Sequence, residues 1–263
     1  MALVRLEARL AQLGLCSRKE ASALIAGGHV LVDGVNAATL SPRRVLPGAS
    51  VSLLPARADE PRALSVALHK PLSFHSAPGH RPTWAQRQAR DLLVPSNRAP
   101  ACITPVPPLP RLRKLAVAGR LDADSSGLLV FSQSGALCRH ILDARHGCTK
   151  EYAVRLRVPA GWSRARLDGA IGALAAPGFA LPGDDRPLRP VRVARCDDDP
   201  ALLTLTLDEG RHRQIRRMAE AVGLAVESLR RERVGALSLA GLGLRSGQWR
   251  LVTLAQLRGE ESS

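Results

Sequence analysis

The chain has 263 residues, 45% of them hydrophobic, and a formal net charge of +15. That apolar fraction excludes disorder throughout, and the length suits one good-sized core plus a small accessory domain. The charge favours a nucleic-acid partner over a small metabolite, although the Arg-, Ala- and Pro-rich composition of GC-rich coding supplies part of it.

The five cysteines, Cys16, Cys102, Cys138, Cys148 and Cys196, are odd in number and contain no CxxC pair. Neither a zinc knuckle nor a disulfide framework is indicated, and reduced thiols in a cytoplasmic setting, or an organelle interior for a eukaryotic source, are expected. No apolar run approaches the roughly 18 residues that span a bilayer, and Glu7 stands between Arg5 and Arg9 where a signal core would be apolar. A soluble protein without a membrane partner is expected.

In chain order, Leu3, Leu6, Leu10 and Leu13 recur at helical spacing, and Gly14 ends that helix. Ser17 with Glu20 three residues on has the form of a capping box for a second helix, whose inner face is Ala21, Leu24 and Ile25. Val30, Leu31 and Val32, an Asp33-Gly34 turn and Val35 predict a hairpin. Arg18 and Lys19 lie in the first turn of the second helix, where positive charge opposes the helix dipole; either they contact phosphate or Glu20 offsets them. This helix-helix-hairpin stretch resembles an S4 RNA-binding domain, which implies RNA contacts from Arg5, Ser17, Arg18 and Lys19. The expected organisation is an S4 domain over 1–54, a linker over 55–62 and a larger domain over 63–259, with a proline-rich insertion at 96–113.

In the larger domain, strands are predicted at Val66 to Leu68, Leu115 to Ala118, Leu128 to Phe131, Tyr152 to Leu156, Val191 to Arg195 and Leu202 to Leu207. Helices are predicted at Ala136 to Leu142, Arg164 to Leu174 and Arg213 to Val222. Without regular strand-helix alternation or a glycine-rich phosphate loop, a doubly wound fold is disfavoured. An α+β domain on a mixed, largely antiparallel sheet is expected.

Two segments carry the chemistry. Gly119 to Gly127 reads GRLDADSSG, a carboxylate loop between two strands, and Glu209 to Met218 reads EGRHRQIRRM, a basic approach to an apolar-faced helix. Taken alone, the loop reads more readily as a polar turn whose Asp122 and Asp124 satisfy local backbone donors. Ile215, Met218, Ala219 and Val222 form the helix's buried stripe, so Arg216 can lie at the core margin, where a guanidinium stabilises a nearby carboxylate's charge. Arg211, Arg213 and Arg217 are then left for phosphates, or in part stand as ordinary solvated charges.

The runs GRLDADSSGLLVFSQSG, KEYAVRL, EGRHRQIRRMAEAVG and LRRERVGALSL together resemble the RsuA-type family of RNA pseudouridine synthases, whose members commonly carry an N-terminal S4 domain. The resemblance implies isomerisation of a uridine, most simply in ribosomal RNA or a ribosome assembly intermediate, by a monomer that needs neither metal nor organic cofactor. It implies that Asp122 is the catalytic aspartate, Tyr152 the residue that stacks on the flipped base and Arg216 the basic partner of Asp122. It further implies that Lys70, Arg120, Lys150, Arg211, Arg213, Gln214 and Arg217 bind substrate. Departures are Ser125 for the family's usual threonine, His69 before Lys70-Pro71, and Leu72-Ser73 in place of residues leading to a glycine. Two rivals remain: a magnesium-dependent phosphatase using Asp122-Ala123-Asp124-Ser125-Ser126, and an S4-bearing factor that binds RNA without modifying it.

Overall fold

The computed structural model describes residues 3–13, 15–16, 18–40, 43–54, 63–77, 87–100, 112, 115–196 and 198–260. Ser17, the 55–62 linker and most of the proline-rich insertion lie outside the described residues, as does the side chain of Lys19.

In the N-terminal unit, β1 (Val4–Arg5) precedes α1 (Leu6–Gln12), α2 (Arg18–Ala26) and the hairpin of β2 (Val30–Val32) and β3 (Val35–Asn36). Strands β4 (Arg44–Val45) and β5 (Val51–Leu53) complete it, pairing with β1 and β2 respectively. Leu6 and Leu10 of α1 bury fully against Ala21 and Ile25 of α2 and Val30 of β2. The first helix is shorter than its leucine spacing predicted, because Val4 and Arg5 pair with β4 instead. Asp33 and Gly34 both take left-handed φ, 49° and 82°, the two-residue turn that suits right-twisted strands and fixes Val32 opposite Val35.

The larger domain is built on a nine-stranded sheet. Its strands are β6 (Ser65–Lys70), β7 (Ala116–Ala118), β8 (Ser126–Ser132), β9 (Lys150–Arg157), β10 (Arg192–Arg195), β11 (Leu202–Leu207), β12 (Ala225–Val234), β13 (Leu237–Ser238) and β14 (Trp249–Leu251). The spatial order is β10-β11-β9-β12-β8-β6-β14, with β7 added to β8 and β13 to β12. Only β12 and β8 run parallel; the other pairs are antiparallel. The fold is therefore α+β with a mixed, largely antiparallel sheet.

Strand β12 lies at the centre of this sheet, yet its sequence, AVESLRRERV, does not alternate. Two irregularities explain it: the register against β9 shifts between Val226 and Ser228 and again between Arg231 and Arg233, and each shift swaps which face the next side chain takes. Strand β8, by contrast, is a continuous apolar run buried from Gly127 to Ser132, as a strand covered on both faces must be.

Helix α3 (Gly135–Leu142) packs Leu137 and Ile141 on one side of β8. Helices α4 (Arg164–Leu174) and α5 (Gln214–Ala221) cover the β9-β11 region through Leu167, Ile171, Ile215 and Met218. The short α6 (Leu239–Leu242) and α7 (Leu254–Arg258) close the far end. Between the two units, Glu20 accepts the Gly135 N–H at 3.2 Å, and Arg139 donates to the Cys16 carbonyl at 2.8 Å. Glu20 thus faces the positive end of α3, where a carboxylate is favoured, besides standing beside Arg18 and Lys19.

Candidate active site

Strand β7 delivers the chain to the loop holding Asp122, and β8 carries it away. The Asp122 carbonyl accepts the Ser125 N–H at 3.1 Å, which closes the turn. The rest of the loop is fixed from outside. Ser76, buried, both accepts from the Leu121 N–H at 2.9 Å and donates to the Leu121 carbonyl at 2.6 Å. Ser73 donates its backbone N–H to the Ala123 carbonyl at 2.7 Å while holding a left-handed φ of 64°, a conformation that costs a non-glycine residue about 1 kcal/mol or more. On the opposite side Arg231 donates to the carbonyls of Gly119 at 2.9 Å and Leu128 at 2.7 Å. Gly127 has φ 114°, and a Cβ there would stand 2.3 Å from the Arg231 carbonyl oxygen, so only glycine lets β8 and β12 approach this closely.

Asp122 opens into a cavity of about 460 Å³, within the range of small-ligand pockets. Tyr152 of β9 lines it from the sheet, with Leu229 and Ile215 beside it and Arg120, Lys150, Arg213, Arg216 and Arg231 around it. Asp124 is not among the lining residues; its side chain is 51% exposed and its two oxygens are taken by arginines. The three side chains expected to converge therefore do meet at one pocket, but their pairing differs from expectation.

Arg213, not Arg216, reaches Asp122, at 3.3 Å, and the same guanidinium lies 3.4 Å from Asp124. Arg216 instead meets the Asp124 carboxylate at 3.1 Å and donates to the Asp124 carbonyl at 2.9 Å and the Val226 carbonyl at 3.1 Å. The reason lies at the start of α5. Arg213 is its N-cap in a left-handed conformation, φ 50° and ψ 33°, which turns its side chain out toward the loop, whereas Arg216, one turn in, is largely buried and lies against main chain.

Four of the expected substrate contacts, Lys70, Arg211, Gln214 and Arg217, are bonded within the protein, although Arg211 and Gln214 also line the cavity. Lys70 is fully buried, and its ammonium donates to the carbonyls of Pro71 at 2.9 Å and Phe74 at 2.8 Å. Burial pulls its pKa down to about 8, against the opposing pull of Asp124 and Asp122. It is a strut for the segment carrying Ser73 and Ser76, not an RNA contact. Arg211 and Arg217 both close on Asp184, at 2.9 and 2.6 Å, and on carbonyls of the 182–187 loop. Those hydrogen bonds hold the Asp184 carboxyl below its ordinary value, Arg217 first and then Arg211. Gln214 is buried, accepting the Arg211 N–H at 2.9 Å and donating to Glu209 at 3.3 Å, a bracket for the turn that leads into α5.

Arg120 does stand at the pocket, exposed and, among the described residues, without an ion pair. Lys150 lies inside it, only 7% exposed. Arg5 and Arg18 are exposed on the N-terminal unit. Sequence reasoning missed Arg231, Ser73, Ser76 and Asp184. Only Arg231 had a signal, as part of LRRERVGALSL; the serines and Asp184 act through tertiary neighbours that no local pattern encodes. Among the described residues no group of three or more His, Cys, Asp or Glu is placed to hold a metal ion, and no helix is long and apolar enough to cross a membrane.

A carboxylate, an aromatic face and several cations around one cavity define a pocket for a planar base attached to a phosphate backbone. The chain belongs to the RNA pseudouridylate synthase family: the family model matches residues 65–221, and an S4 domain model matches residues 4–38. It is 31% identical over 254 residues to the dual-specificity RNA pseudouridine synthase RluF of Escherichia coli, covering 95% of this chain and 76% of that one. It is 32% identical over 147 residues to the ribosomal small subunit pseudouridine synthase A of Vibrio vulnificus, covering 56% of this chain and 60% of that one. A crystal structure of a pseudouridylate synthase superposes with a TM-score of 0.59 at 23% identity over 97% of this chain and 98% of that one, which shows a shared fold. The chain is an isomerase that acts on RNA.

Proposed function

We propose that this enzyme, acting as a monomer in the cytoplasm, converts a specific uridine of ribosomal RNA to pseudouridine, with Asp122 as the residue that starts the reaction. The name of the small-subunit relative supports ribosomal RNA as the substrate. The +15 net charge suits a polyanion, whose affinity comes largely from counterion release.

A uridine inside folded RNA hides its glycosidic bond, so the nucleotide must be extruded into the pocket. The reaction is balanced within the nucleotide. The N1–C1′ bond breaks, C5–C1′ forms, one proton leaves C5 and one ends on N1, so no co-reactant is consumed. Asp122 initiates, by attack on the nucleotide or by removing a sugar proton. Tyr152 supports the flipped ring, since an aromatic face stacks on a base with little hydrogen-bond demand. Arg213 stabilises the Asp122 charge, and Arg216 sets the loop through Asp124. Arg120, exposed at the rim, is available to the backbone or to the space the base vacates.

The observation that carries this reading is the meeting of Asp122 and Tyr152 across one cavity while Asp124 is turned out of it. Tritium release from C5-labelled uridine in transcribed ribosomal RNAs tests it. Release from one transcript, mapped to one or a few positions, is expected; absence of release from every ribosomal transcript would favour an RNA-binding factor without catalysis.

A further inference from the structure

Two cations lie deeper in the cavity than any reacting group named so far. Lys150 and Tyr152 are two residues apart on β9 and share a face, and Arg231 on β12 is registered directly opposite Tyr152, so all three side chains point the same way. Lys150 is 7% and Arg231 3% exposed, and both line the cavity. Buried charges are ordinarily paired with a carboxylate, because desolvation costs several kcal/mol per ion otherwise. Here, among the described residues, Lys150 makes no hydrogen bond or ion pair. Arg231 uses Nε and Nη2 on the Leu128 and Gly119 carbonyls, and its Nη1, which has no bonded partner among the described residues, lies 3.7 Å from where a Cβ on Gly119 would stand. The acid that acts on Lys150 from a distance, Asp208, forms no ion pair with it and gives its Oδ2 to Arg189 at 3.0 Å. Burial above all, with Arg231 adding to it, pulls the Lys150 ammonium below the ordinary lysine value. The pocket floor thus carries two positive groups that, among the described residues, form no ion pair with a carboxylate.

We propose that Lys150 and Arg231 form an electrophilic edge for the flipped uracil, donating to its carbonyl oxygens and stabilising the negative charge that grows on the base as N1–C1′ breaks. The electron pair of that bond leaves with N1 and spreads onto O2 and O4, the ring edge that a base stacked on Tyr152 turns toward the two cations. When C5 then bonds to C1′ and loses its proton, N1 takes one up and the charge is discharged. Donors fixed in advance at the place where charge develops act without reorganisation, which is why they favour the transition state over the bound ground state. The inference rests on the isomerase reading above and adds a second catalytic group to it.

Lys150→Met and Lys150→Arg test it, because methionine keeps the bulk and removes only the charge. Three measurements are compared with wild type: single-turnover tritium release on a transcript that wild type modifies, RNA affinity, and the thermal midpoint. Lys150→Met is expected to be about 10²- to 10³-fold slower with affinity within about threefold. Its thermal midpoint is expected to be equal to or above wild type, since an unbalanced buried charge has gone. Lys150→Arg is expected to recover at least about tenfold of that rate, charge being what matters. A Lys150→Met rate within about threefold of wild type overturns the inference, as does a fall in midpoint that Lys150→Arg restores, which would make the lysine a packing element. In both of those cases wild type is active and the isomerase reading stands; a wild type inactive on every ribosomal transcript removes that reading and this inference together.

Discussion

The two walls of the pocket are held by opposite means. The acidic loop from Gly119 to Leu128 is fixed through its main chain, by Ser76 on Leu121, Ser73 on Ala123, Arg216 on Asp124 and Arg231 on Gly119 and Leu128. The basic wall from Glu209 to Arg217 is fixed through its side chains, with Asp184 holding both Arg211 and Arg217. The difference decides what each wall can offer. A loop pinned by its carbonyls keeps the Asp122 carboxylate for the pocket, whereas a wall pinned by ion pairs uses up its arginines and leaves Arg213 as the one that reaches Asp122. Counting basic residues therefore misjudges this site; what each guanidinium is bonded to decides its role.

The acidic loop depends most heavily on Arg216. Replacing it by methionine leaves the carbonyls of Asp124 and Val226 without their donor and frees the loop, so about 3 kcal/mol of stability should be lost along with most activity. Urea denaturation and turnover measure the two. Full stability with lost activity would mean that Arg216 acts on substrate and not on the loop.

On the basic wall, Asp184→Asn should release Arg211 and Arg217. RNA affinity at low salt should rise, and the salt dependence of log K should steepen by roughly one unit per arginine freed. The same variant has a pH signature. Because Arg217 and then Arg211 lower the Asp184 pKa in the folded state, its contribution to stability is complete above the ordinary aspartate value of about 3.9 and is lost as pH falls through the lowered folded value. The wild-type thermal midpoint should fall over that acid range by more than the Asp184→Asn midpoint; parallel curves would show that the two arginines are held by the loop carbonyls alone.

On the acidic side, Ser73 contributes through its backbone alone. Ser73 holds φ 64° to reach the Ala123 carbonyl, so Ser73→Gly should stabilise the protein by about 0.5 to 1 kcal/mol with turnover unchanged within about twofold. A destabilised variant would mean that the serine side chain, not its backbone, holds the segment.

These contrasts also mark how far the sequence could be read. Helix Arg164–Leu174 and strand Leu202–Leu207 have the limits expected of them, since in the strand leucines alternate with threonines on a sheet with one covered face. Strand Ala225–Val234 gave no such signal, because two register shifts break its alternation and charge dominates its composition. The Asp122, Tyr152 and Arg216 positions were legible because their motifs are local, but which arginine meets which aspartate was not. That depends on the left-handed turn at Arg213, and nothing about an arginine announces a positive φ. Lys70 misled for a related reason: a lysine beside a reactive loop suggests a phosphate contact until its complete burial and its two carbonyl partners are seen.

The central claim is that Asp122 alone of the two loop carboxylates reacts. Single-turnover pseudouridine formation by Asp122→Asn and Asp124→Asn, measured side by side on one ribosomal transcript, tests it most directly. The Asp122→Asn rate should fall by at least about 10⁴-fold with RNA affinity near wild type, while Asp124→Asn, which loses only an outward-facing pair with Arg213 and Arg216, should slow about tenfold or less. Substantial activity in Asp122→Asn, with Asp124→Asn inactive, would contradict the account.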